Sequence, residues 1–196
     1  MFDPLNIRLQ KFVQERHWEV YHHPKNLILN TFIELSEFCE HLIGAFNMSF
    51  ADLKKNEQKK ILLKDEMADV LINLIQFSTI TKIPLDACSP AKFLKSLSAT
   101  QVCLRLLVTI GHLATPLTWI SEEESRLFTT TKEMPQMLHE ALEILLYIMQ
   151  ELSVCPLQTS LEKLDKIELK YPIGLIDAEV TSYYRNKGKN RISYVL

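Results

Sequence analysis

Residues 33–38 read IELSEF and residues 64–74 read KDEMADVLINL, and the acids in these two stretches decide how the chain is organised. Glu34 and Glu37 stand three residues apart, as do Glu66 and Asp69, so each pair projects from one face of a helix. The flanking residues are apolar at helical spacing. Ile28, Phe32, Leu35, Cys39 and Leu42 form one stripe, and Leu63, Met67, Val70, Leu74 and Phe77 form another. Beside each stripe runs a polar row: Asn30, Glu34, Glu37 and His41 on the first helix, and Glu66, Asp69, Asn73 and Gln76 on the second. Acids placed beside core stripes on neighbouring helices repel one another and lose solvation unless a cation lies among them. A hard divalent ion such as Mg²⁺, with Mn²⁺ as the alternative, takes carboxylate oxygens. Two amphipathic helices with solvated acidic flanks give the same pattern, so spacing alone leaves both readings open.

Working outward, the 196 residues suffice for one domain with a real core, and 47% apolar against 23% charged residues is a globular composition. Only 4 glycines favour long helices over tight turns. A formal net charge of −2 gives no basic field, which argues against a nucleic-acid partner. The four cysteines, Cys39, Cys88, Cys103 and Cys155, are far apart and form no CxxC, so reduced thiols are expected. No secretory signal and no uncharged run of membrane-spanning length is read, and the expected location is the cytoplasm.

No period-two alternation persists, so the chain reads as all-α. A first helix is expected from about Leu5 to Val20, with Asp3 as its cap, Pro4 at its first position and Ile7, Phe12 and Val13 inward. Pro24 separates it from a second helix running from about Lys25 to Ile43. Residues 44–56 read as a connector and Glu57 to Thr81 as the second acidic helix. Ala91 to Ile120 is helical with a break near Pro116, and 121–135 is another polar connector. Gln136 to Leu152 is helical. A last helix, capped by Thr159 or Ser160, runs to Lys170.

The halves echo each other: HEALEILLYIMQ (139–150) parallels DEMADVLINLIQ (65–76), and Cys155-Pro156-Leu157 parallels Ile83-Pro84-Leu85. We read a tandem pair of helical hairpins, about 5–90 and about 91–176, packing as a four-helix bundle in one domain (1–176), followed by a basic tail (177–196). The copies are unequal. VTIGHLATPLTW (108–119) offers Thr109 and His112 where the first copy has Glu34 and Glu37, so at most one full acidic site is expected, in the first copy.

Four ordered segments carry a resemblance: FVQERHWEVYHHPKNLIL (12–29), IELSEFCE (33–40), DEMADVLINL (65–74) and LEKLDKIELKYP (161–172). Together they resemble the MazG-like all-α nucleoside triphosphate pyrophosphatases, most closely the dCTP pyrophosphatase branch. The resemblance covers about Leu5 to Leu85 and about Ser160 to Pro172. It implies Mg²⁺-dependent cleavage of a nucleoside triphosphate, a pyrimidine one such as dCTP, to monophosphate and pyrophosphate. It implies metal ligands Glu34, Glu37, Glu66 and Asp69, with Glu37 or Glu34 as base. Lys163 would act on the polyphosphate, and substrate contacts would come from His22, Asn26, Asn73, Lys163, Lys170 and Tyr171. A homodimer is also implied.

The chain departs from the family in several places. Gly44 stands where an aromatic is common, and Trp119 falls in the second copy where the family often has one near the base. Asn73 replaces a Tyr, and Ile167 replaces an Asn that partners phosphate or metal. The segment 89–98 (SPAKFLKSLS) lacks the Tyr-Pro that appears only after the second copy. These departures keep a second function open, that of a catalytically reduced protein binding nucleotides or a partner. A di-iron carboxylate bundle would require Glu-x-x-His on two helices, and neither acidic helix has it.

Overall fold

The computed structural model describes residues 2–43, 48–85 and 88–173, and these residues form helices and no strand. Eight α-helices are described: α1 (Asp3–Glu15), α2 (Pro24–Leu42), α3 (Phe50–Lys55), α4 (Glu57–Thr81), α5 (Ala99–Ala114), α6 (Glu122–Arg126), α7 (Met134–Glu151) and α8 (Pro156–Lys170). Among them no helix is long and apolar enough to cross a membrane. α2 packs along α4 and α5 along α7, and the two pairs meet through α2 with α5 and α4 with α7. α1 and α8 close one side by packing on α4 and on each other.

α4 is the central element. Asn56 caps it by accepting from the Lys59 N–H, and Lys82, with φ 57°, ends it in the left-handed region. Leu63, Met67, Val70, Leu74 and Phe77 are all buried, as expected, but so are Ala68, Leu71, Ile72 and Ile75. The helix is therefore covered on several sides by α2, α7 and α8. Along its second half Asp69, Asn73 and Gln76 remain a half-buried polar row. On α2, Ile28, Leu35 and Leu42 are buried, while Phe32 and Cys39 are partly covered.

The start of α2 is secured from a distance. Its first residue is Pro24, and Ser125 of α6 accepts from the Lys25 N–H at 2.9 Å while its Oγ lies 3.0 Å from His23 Nδ1. The Lys25 ammonium donates to the Thr118 and Ile120 carbonyls. This docking replaces the side-chain cap that the N-cap residue His23 does not supply.

Several expectations need correction. α1 stops at Glu15 rather than Val20, because His17 adopts φ 55° and a short 3₁₀ turn, Trp18–Val20, follows. Its N-cap is Phe2, with Asp3 already helical, and Ile7 is 69% exposed rather than inward. The connector 44–56 contains α3, and 121–135 contains α6, each opened by a capping box, Ser49 with Asp52 and Ser121 with Glu124. α8 begins at Pro156, so Thr159 and Ser160 are buried within it and do not cap it. The four cysteines are free thiols; Cys88 and Cys103 are buried and Cys155 is exposed. The tail 177–196 and Gly44 lie outside the described residues.

The burial pattern predicts that Phe38→Ala, which empties a fully buried ring site on α2, costs ~3–5 kcal/mol. Ile7→Ala should change stability by less than ~0.5 kcal/mol. Urea unfolding followed by circular dichroism measures both.

Candidate active site

Because α2 lies along α4, their polar rows face each other and line a cleft of about 300 Å³. Glu34, Glu37 and Glu66 each place a carboxylate oxygen so that the three lie within 4.8 Å of one another, all half-buried. His41 Nε2 approaches the Glu66 carboxylate at 3.6 Å. Burial, then the neighbouring Glu37 and Asp69 carboxylates, push Glu66 up to about 7. Carboxylates that oppose one another's ionisation at this spacing are a donor set that fits a hard divalent cation. Asp69, the fourth expected ligand, lines the same cleft but stands outside the three-carboxylate cluster.

The reason is α8. Lys163 reaches in from that helix and pairs with Asp69 Oδ2 at 2.5 Å and also with Asp65. Burial opposes the Lys163 charge, but Asp69 and Asp65 outweigh it and hold the ammonium above the usual lysine range. Burial likewise disfavours the Asp65 anion, and Lys163 and Lys166 more than offset it, leaving Asp65 below the usual carboxylate range. Lys166 pairs with Asp65 at 2.5 Å, and Lys64 with Glu162 at 2.7 Å. The expected polyphosphate lysine is thus in the cleft, engaged as a counter-cation to two acids. Asp65 and Lys166 were not anticipated. Their signals were present: Asp65 precedes Asp69 by one helical turn, and Lys166 follows Lys163 by three residues.

The far wall is aromatic. Trp18, 7% exposed, packs edge-on against Phe12 and Tyr171, at 5.4 and 5.1 Å between ring centres. Arg16 donates to the Tyr171 carbonyl at 2.6 Å and lies over the Phe12 ring. Arg8 binds Asp165 and Glu168 of α8 at 2.6 Å each. These contacts fasten α1 to α8 and hold Tyr171 and the Lys170 ammonium, 5.2 Å from its ring centre, at the cleft. His22 lines the cleft. Burial drives its imidazole down to about 4, with Glu19 opposing and His23 assisting, so it is neutral at pH 7.

Of the residues expected at the site, Glu34, Glu37, Glu66, Asp69, His22, Asn73, Lys163, Lys170 and Tyr171 all line one cleft. Asn26 does not; its amide donates to the Tyr21 carbonyl at 3.1 Å and steadies the turn before α2. Trp119 is 94% exposed and lines no part of the cleft. Ile167 sits in the lining. In the second half, Thr109 donates back to the Arg105 carbonyl, His112 is exposed, and Arg105 pairs with Glu140 at 2.5 Å. An arginine there neutralises the acid that parallels Glu66.

No family model, no curated protein and no solved structure matches this chain.

The raised Glu66 has a measurable consequence. Between about pH 4.5, where an unfolded Glu ionises, and about pH 7, the folded protein keeps a proton that the unfolded chain has lost. Stability of the metal-free protein therefore falls as pH rises through that window. Glu66→Gln should remove this loss and stabilise the protein at pH 8 by ~1–2 kcal/mol, after the screening a half-buried group receives, with little effect at pH 4. Thermal unfolding in EDTA across pH checks it.

Proposed function

We propose that this chain is a Mg²⁺-dependent nucleoside triphosphate pyrophosphohydrolase of the MazG-like all-α type. In this reading α2, α4, α5 and α7 form its four-helix core, and the α5–α7 pair is a second copy of the first hairpin. One observation carries the reading. Acids from α2 and α4, lysines and Tyr171 from α8 and His22 from the turn before α2 line a single cleft, although they lie far apart in the chain.

Glu34, Glu37 and Glu66 would hold the ion, with Asp69 at the edge of the set. When bound, Mg²⁺ supplies charge neutralisation at phosphate oxygens and acidifies water. The chain's own groups do the rest. Water adds across the α–β anhydride, giving monophosphate and pyrophosphate, and Glu37 or Glu34 takes the proton as that water attacks. Lys170 at the mouth, and Lys163 once drawn from Asp69 by a competing anion, stabilise charge on the departing pyrophosphate. Tyr171 and Trp18, packed together, keep that end of α8 in register with α1. Asn73 offers an uncharged amide to the substrate.

A second reading has its own support. Ile167 brings an apolar side chain to the cleft where the resembled family has an amide, and Lys163 is engaged by two acids. A protein that binds nucleotides without turning them over fits those two features.

Pyrophosphate release from a panel of nucleoside triphosphates with Mg²⁺ separates the readings. The expected result is base-selective release that falls by about 10²–10⁴-fold in Glu37→Gln. Nucleotide binding with no release would favour the binding protein instead.

A further inference from the structure

A second groove, of about 240 Å³, runs between α1 and α4 beside the acidic cleft. Leu9, His22 and Gln76 line both, so the groove adjoins the cleft. Their chemistry is opposite. The cleft gathers carboxylates and lysines, whereas the groove has an apolar floor of Leu9, Val13 and Ile80, and Glu19 is the one charged residue of its lining among the described residues.

The polar groups of the groove are mostly amides. Asn6 is occupied, its Oδ1 accepting from Thr79 Oγ1 at 2.8 Å and from Gln10 at 3.3 Å. Gln14 and Gln76 make no side-chain hydrogen bond among the described residues. Gln76 stands at the junction, and its amide offers a donor and an acceptor side by side. His22, also at the junction, is neutral and adds no charge.

Such a wall selects a flat, uncharged group with paired donors and acceptors on its edge. Apolar side chains take the faces and the amide reads the edge. Each cavity alone is small for a nucleotide, and joined they fall in the usual range for small-molecule sites of ~300–1,000 Å³. We propose that the α1–α4 groove is the base subsite, holding the heterocycle of the nucleotide whose phosphates lie in the acidic cleft. The assignment rests on the nucleotide reading of that cleft. It makes Gln76 the specificity-determining residue and gives α1 a binding role besides its docking on α8.

The test is calorimetric titration, with Mg²⁺, of four α,β-methylene deoxynucleoside triphosphates and of inorganic tripolyphosphate, which has no base. The proteins are wild type, Ile80→Trp and Gln76→Leu. Ile80 is 38% exposed and lies outside the acidic cleft, so a tryptophan there fills the groove with little demand on the core. Gln76→Leu serves if circular dichroism shows the first variant unfolded. The expected result is at least one nucleotide binding wild type about tenfold more tightly than tripolyphosphate. Ile80→Trp should erase that advantage without changing tripolyphosphate affinity, and Gln76→Leu should reorder the bases. A preference that survives both variants would put the base elsewhere and leave the phosphate reading standing. Equal binding of all five ligands to wild type would leave no base subsite at all. Binding of none would overturn the nucleotide reading, and this assignment with it.

Discussion

Carboxylates gathered in a half-buried space must be neutralised, and that constraint shapes this molecule. Glu34, Glu37, Glu66, Asp69 and Asp65 come from two helices that each bury one long apolar face in the core beside these acids. Water reaches them only in part, so their mutual repulsion is weakly screened. Two responses are built into the chain. Protonation is made easier at Glu66, and lysines are brought in from α8 for Asp65 and Asp69. In the reading proposed above, a cation shared by Glu34, Glu37 and Glu66 is a third response.

The rest of the structure follows from placing α8. Its lysines are useful only at one axial position along α4, and that position is held from both sides. Lys64 with Glu162 and Asp65 with Lys166 tie it to α4, while Arg8 and Arg16 tie it to α1. The ion pairs at the surface contribute little stability individually. Their value is in register, and the buried contact among Phe12, Trp18 and Tyr171 supplies the apolar burial beneath them. In the other half Arg105 neutralises Glu140 directly, and that half holds no acid cluster among the described residues.

α2 and α4 were readable because Pro24, Asn56 and the Ile83-Pro84 stop mark their ends, whereas α5 spans Ala99–Ala114 and not the expected Ala91 to Ile120. α4 has the bounds that Asn56 and the Ile83-Pro84 stop imply, and α2 differs from its expected bounds by a single residue at each end. The end of α1 was not readable, since nothing in Arg16-His17-Trp18 announces a left-handed histidine. α3 and α6 were missed although each opens on Ser-x-x-acid, because six and five residues in polar surroundings leave no periodicity to see. At the site, the acids and Lys163 were legible from spacing and resemblance. Asp65, Lys166 and the local role of Asn26 required knowing how α8 lies on α4 and how the turn folds before α2. Pairing between distant helices leaves no local mark in a sequence.

The central claim is that Glu34, Glu37 and Glu66 act together as one cation site. Mn²⁺ titration followed by electron paramagnetic resonance tests it most directly, on wild type, Glu66→Gln and Glu143→Gln, the last being a control in the second half. The account predicts one tight site per chain, lost in Glu66→Gln and unchanged in Glu143→Gln. Equal Mn²⁺ binding by all three, or no site tighter than scattered surface carboxylates provide, would contradict it.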